Sequence, residues 1–80
     1  MQTIFVFSKC ELGEAYKVAD EAVLNVEQVS EVYSISGEYD LLFKCYLDDG
    51  IDIGHFVTDK LQTLPGIKET FTLIGFKAFS

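Results

Sequence analysis

Tyr33-Ser34-Ile35-Ser36-Gly37-Glu38-Tyr39-Asp40-Leu41-Leu42-Phe43-Lys44 is a polar turn set between two apolar segments, Val29–Ile35 and Leu41–Leu47. Two such segments joined by a short glycine-containing turn read as a β-hairpin. Gly37 can adopt a positive φ without a Cβ penalty, and Asp40 can bond local backbone N–H groups as the chain reverses. The turn is open to two readings. It is either a plain reversal, or a sheet end whose free N–H groups and carboxylate form a small-molecule site.

Outward from the hairpin, the strand before the turn carries Val29, Tyr33 and Ile35 on one face and mostly serines on the other, which suits an edge strand over 29–36. The strand after it, Leu41–Leu47, is apolar on nearly both faces and reads as central. Gln2–Lys9 contains consecutive Ile4, Phe5, Val6 and Phe7 and also reads as central. Between 11 and 26 the period changes: Ala15, Val18, Ala19, Ala22, Val23 and Val26 form one helical stripe, with Glu11 and Glu14 near the positive end of the helix dipole. Beyond the hairpin, Asp52 is a candidate N-cap for a helix with Ile53, Phe56, Val57, Leu61 and Leu64 along one stripe and the stem of Lys60 beside it. Pro65-Gly66 ends that helix, and 67–79 reads as a long last strand in which Gly75 marks a bulge or a close backbone approach.

The order is βαββαβ, an α+β ferredoxin-like arrangement whose right-handed crossovers give an antiparallel sheet of order 4-1-3-2. Both helices cover one sheet face. The other carries apolar residues from three strands, and the expected cover is the sheet of another subunit, giving a dimeric α+β sandwich or barrel. With 80 residues the chain is one domain, 1–80, and its 49% hydrophobic content, including seven Phe and four Tyr, is generous for so small a core.

The formal charge of −7, from thirteen acidic residues against six basic ones that are all lysine, argues against a phosphate backbone or an anionic membrane surface as partner. No apolar run has the length of a membrane span and the N-terminus lacks a basic leader region, so a cytoplasmic protein with free thiols is expected. Cys10 and Cys45 fall roughly 16 Å apart at strand rise, too far for a disulfide. They have no metal-ligand spacing with the single His55, and His55 reads as a surface residue beside the second helix's apolar stripe. Asp48, Asp49 and Asp52 lack the calcium-loop pattern and read as a solvated loop. No nucleophile–base grouping, phosphate loop or paired acid and base appears. No catalytic residue, metal or cofactor is expected.

The quoted hairpin, taken with Thr63-Leu64-Pro65-Gly66-Ile67-Lys68-Glu69-Thr70-Phe71-Thr72, resembles the effector-binding (RAM) domain of the Lrp/AsnC transcriptional regulators. The likeness runs through G-x-Y-D followed by two apolar residues, then L-P-G-apolar and T-x-T, and covers essentially the whole chain. It implies the fold just derived, a homodimer paired through the sheets, and dimers assembled into an octamer or other ring that binds an amino acid or related metabolite between dimers. It carries over Gly37, Tyr39, Asp40, Thr70 and Thr72 as the effector site. Backbone N–H groups near Gly37 would hold the ligand carboxylate, Asp40 its ammonium, and the threonine hydroxyls would donate or accept. Plain strand propensity is the other reading of the two threonines.

Full-length regulators of that family carry a helix-turn-helix domain ahead of the first strand, whereas here the strand begins at Gln2. The expectation is therefore a stand-alone sensing domain that does not bind DNA itself and modulates full-length relatives by mixed assembly. Two alternatives remain open: a small dimeric enzyme similar to the monooxygenases and decyclases of this fold, and a purely structural assembly module.

Overall fold

Ile4, Val6, Ser8 and Cys10 are buried on one side of the first strand, while Phe5 and Phe7, between them, are only half-buried. In the computed structural model, which describes Met1–Ser80, this alternation belongs to β1 (Gln2–Cys10), the centre of a four-stranded antiparallel sheet. α1 (Ala15–Asn25), β2 (Val29–Ser34) and β3 (Leu41–Leu47) follow. Then come α2 (Ile53–Phe56), which runs directly into a π-helical turn (Val57–Leu61), and β4 (Ile67–Gly75). The spatial order β2-β3-β1-β4 is the 4-1-3-2 order expected from the sequence.

The pairing fixes which residues share a face. Ile4, Val6 and Ser8 lie opposite Cys45, Phe43 and Leu41 on β3, and opposite Ile74, Thr72 and Thr70 on β4. That face meets the helices through Val18, Ala22 and Val26 on the α1 side and Phe56, Val57, Leu61 and Leu64 on the other. The opposite face carries Phe5, Phe7, Leu42, Tyr46, Phe71 and Leu73, with Tyr33 at its β2 margin. No helix or further sheet of the single chain covers it.

Asp52 caps α2 as expected, its Oδ1 accepting from the His55 backbone N–H at 2.9 Å. Pro65-Gly66 reverses the chain onto α1. Gly66 has φ +98°, and a Cβ there would stand 2.9 Å from Val18 Cγ2 and 3.2 Å from Glu14 Cβ. The Gly66 carbonyl also accepts from Glu11 N–H at 2.7 Å, tying the turn to the exit of β1.

Three expected boundaries move, and one residue of the helical stripe stays exposed. α1 begins at Ala15 rather than Glu11, because the bond from Glu11 to Gly66 draws the intervening residues into a turn closed by Glu14 N–H on the Glu11 carbonyl. Val23 is 61% exposed despite its place in the apolar stripe. Tyr16, two helical turns before it, is exposed as well, so this flank of α1 stands outside the core. β2 stops at Ser34, since Ile35 N–H donates to the Asp40 carbonyl and closes the hairpin there. β4 ends at Gly75 rather than Phe79: its only neighbour is β1, whose Thr3 is the last residue to pair, so Phe76 and Phe79 run off the sheet almost fully exposed.

Gly75 is a close approach. A Cβ would meet the Thr3 carbonyl at 3.1 Å and the Phe5 ring at 3.3 Å. The bulge in this strand pair lies elsewhere, at Lys68, where Lys9 pairs with Glu69 but Cys10 with Ile67. Cys10 and Cys45 are buried free thiols. No helix is long and apolar enough to cross a membrane.

Candidate functional site

The family-like residues converge on one end of the sheet, around the last residues of β1. The hairpin turn, with Gly37 at φ +108°, closes over this end from the β3 side. Asp40 N–H donates to the Ser8 carbonyl at 2.8 Å, and the Asp40 carboxylate Oδ2 accepts from Cys10 N–H at 2.8 Å. From the β4 side, Thr70 pairs directly with Ser8. Asp40 and Thr70 thus flank the same stretch of β1, two strand spacings or about 10 Å apart.

The sheet separates the set into two groups. Thr70 and Thr72 project to the helix-covered side, level with buried Ser8 and Val6. The Thr70 hydroxyl oxygen accepts from Gln62 Nε2 at 2.8 Å. Tyr39 instead folds onto the open face, where its ring stacks on Phe71 at 6.1 Å with 12° between planes and meets Phe7 at 5.5 Å. Lys9 Nζ sits 5.7 Å above the Tyr39 ring centroid and 3.8 Å from the Glu69 carboxylate. Each aromatic pair contributes on the order of 1 kcal/mol beyond the area it buries. The triad therefore fixes the hairpin against β4.

Sequence reasoning missed three participants. Phe7 and Phe71 are cross-strand partners, and the alternation of β1 and β4 carried that signal once the register was known. Gln62 gave none, because its contact depends on the local helical geometry. Burial pushes the Cys10 thiol up; the contact with Ser8 opposes that shift and the Asp40 charge adds to it. Cys45, in the middle of the core, is pushed up to about 12 by burial.

Further along the open face, Glu31 and Lys44 pair at 3.4 Å, Tyr33 O–H donates to Glu31, and Lys44 Nζ lies 5.4 Å over the Tyr46 ring. The hydrogen bond from Tyr33, then that from Lys44, holds the Glu31 carboxyl below its ordinary range. The concavities of the single chain lie apart from Gly37, Tyr39, Asp40, Thr70 and Thr72. One of about 360 Å³ is bounded by Glu14, Lys17, Glu21 and Pro65, and one of about 330 Å³ by Thr3, Phe5, Lys44 and Tyr46. The motif residues present a surface rather than an enclosed cavity.

The sequence profile described as "Lrp/AsnC ligand binding domain" matches residues 3–80. The chain belongs to that family. This Lrp/AsnC domain is 36% identical over 64 residues to an uncharacterized HTH-type transcriptional regulator of Pyrococcus horikoshii, a match covering 80% of the chain and 43% of the relative. It therefore spans less than half the length of that regulator. It is also similar to the solved structure of TTHA0845 from Thermus thermophilus, at 34% identity and a TM-score of 0.86, covering 100% of this chain and 99% of the other. The transcriptional regulator NMB0573 of Neisseria meningitidis, solved as its L-Met complex, shares the Lrp/AsnC fold at a TM-score of 0.84 and 20% identity, over 99% of this chain and 52% of that one.

Proposed function

We propose that this Lrp/AsnC domain senses a free amino acid or similar small zwitterion where the Gly37–Asp40 turn and the Thr70/Thr72 strand meet a neighbouring copy. Binding alters the assembly, and the ligand is not converted. The observation that carries the reading is the gathering of a carboxylate, a positive-φ glycine turn and a threonine hydroxyl around the end of β1. These are groups of the kind that pair with an ammonium and a carboxylate. The surface they form is open, so a second subunit supplies the walls. The L-Met complex of the Neisseria regulator, a protein of the same fold, supports an amino acid as the ligand class.

In this reading a second copy packs on the uncovered sheet face, which presents Phe71, Leu73, Tyr33 and Tyr46 to solvent in the single chain. Further dimers join into a ring, and the domain modulates full-length regulators inside the cell through mixed assembly. With a charge of −7 it leaves DNA contact to those partners. The residues proposed for the site are suited to holding a ligand. The one histidine, His55, is on the first turn of α2, which starts at the other end of the sheet.

Asp40 also caps Cys10 N–H, and that favours a second reading in which this end of the sheet is only structural. Calorimetry against the twenty free L-amino acids, on wild type and on Asp40→Asn, separates the two. The Asn oxygen still accepts from Cys10 but carries no charge. Sensing predicts binding by wild type that weakens at least about tenfold in the variant. No binding at millimolar concentration leaves the structural reading, and equal binding by both moves the site away from Asp40.

A further inference from the structure

The π-helical turn aims one side chain at the candidate site. Gln62 N–H bonds to the Val57 carbonyl at 2.8 Å, a five-residue step in place of the α-helical four. The wider turn sets Gln62 back by about one residue, in the place round the axis that residue 61 would hold in an α-helix. From there its Nε2 reaches the Thr70 hydroxyl on β4 at 2.8 Å. Thr63, next in the chain, locks the end of the turn by donating its hydroxyl to the Asp59 carbonyl at 2.7 Å. Gln62 itself is exposed, so this contact is not required to fill the core.

We propose that Gln62 is a positioning and specificity-determining residue of the effector site, selecting a ligand with a free carboxylate. The inference rests on the amino-acid reading above and adds a residue to it. A threonine hydroxyl has one proton to donate and two lone pairs that accept. With a lone pair occupied by the Gln62 amide, the Thr70 proton is left to point outward as a donor for a carboxylate oxygen. Gln62 Oε1 has no partner within the chain and stands beside it as an acceptor for an ammonium. One side-chain pair thus offers both polarities that the α-carbon of a free amino acid requires. Asp40 lies on the other side of β1, about 10 Å from Thr70.

Reversing the polarity of this one contact tests it. A carboxylate at position 62 can only accept, so Gln62→Glu turns the Thr70 proton inward and sets a negative charge beside the ligand carboxylate. The probes are the tightest binder among the twenty free L-amino acids and its carboxamide, which has the same side chain and ammonium but no carboxylate. Both are titrated into wild type, Gln62→Leu and Gln62→Glu, with thermal melts to establish that each exposed-site variant folds.

Wild type should prefer the acid over its carboxamide. Gln62→Leu should weaken the acid about tenfold, and Gln62→Glu should compress or invert the acid-to-carboxamide ratio by at least as much again. A merely structural contact would weaken both probes alike. An unchanged ratio in Gln62→Glu, with wild type still binding the acid, overturns this assignment and leaves the sensing function standing. Absence of any amino-acid binding by wild type overturns both.

Discussion

Asp40 serves two roles at one position. Its carboxylate accepts the Cys10 N–H, while its own N–H and carbonyl tie the hairpin to Ser8 and Ile35. The sequence suggested a turn residue bonding local N–H groups, because a hydrogen bond spanning thirty residues has no local signature. We therefore expect Asp40→Ala to lower the free energy of unfolding by about 1 kcal/mol, the modest value reflecting a site that water reaches. Asp40→Asn should recover most of that loss, and urea midpoints of the two variants measure the difference. Gly66 is the stricter position. Any Cβ there meets Val18 and Glu14 and must also hold φ +98°, so Gly66→Ala should cost on the order of 2–3 kcal/mol. A melting temperature within a degree of wild type would refute that. The Pro65-Gly66 pair was legible as a turn from its chemistry, but not the helix it presses against.

Element types followed from hydrophobic period and element ends did not. The switch from the consecutive apolar run Ile4–Phe7 in β1 to a helical stripe in α1 is a property of neighbouring residues, visible in any copy of the sequence. The end of β4 is decided by the length of β1, and the start of α1 by a bond to Gly66. Neither is local. The central place of β3 was legible because both its faces are apolar, and the structure sets Cys45 at the middle of that strand's buried face. A prediction belongs to this element. The Cys45 thiol ionises at an ordinary value near 9.0 when unfolded, and is pushed up to about 12 when buried. Between these values the unfolded chain sheds a proton that the native chain retains. The stability linked to this thiol is complete below pH 9 and falls as the pH rises towards 12. Denaturation midpoints from pH 7 to 11 should decline, and decline less steeply in Cys45→Ala. Parallel slopes in the two proteins would contradict the assignment. Cys10, also raised, adds a smaller contribution of the same sign.

At the scale of the whole molecule, the sheet has one covered face and one that is open. The apolar residues on the open face were legible as an excess of hydrophobic content over what a chain of this size buries. The aromatic triad of Phe7, Tyr39 and Phe71 was not, since it needs the β1–β4 register and the fold of the hairpin together. Leu73 is 45% exposed in the single chain and stands outside the triad, so a lysine there should be tolerated by the fold but not by a second sheet packed over it. Light scattering should find an assembly of wild-type chains at micromolar concentration, and Leu73→Lys should raise its dissociation constant at least about a hundredfold. A mass near 9.0 kDa for wild type would remove the premise.

The two buried thiols also make the molecule its own clock. Cys45 sits at the centre of the sheet, flanked by strands on both sides, whereas Cys10 closes the last pair of β1 beside the hairpin. A thiol reagent in excess should label Cys10 at the rate of local opening of that sheet end, and Cys45 only at the slower rate of global unfolding. If the hairpin end is where an amino acid is held, saturating ligand should slow the Cys10 reaction far more than the Cys45 reaction. The ratio of the two rates then reports occupancy in solution without a tag or a mutation. Equal retardation of both would mean that the whole fold, not this end of it, responds.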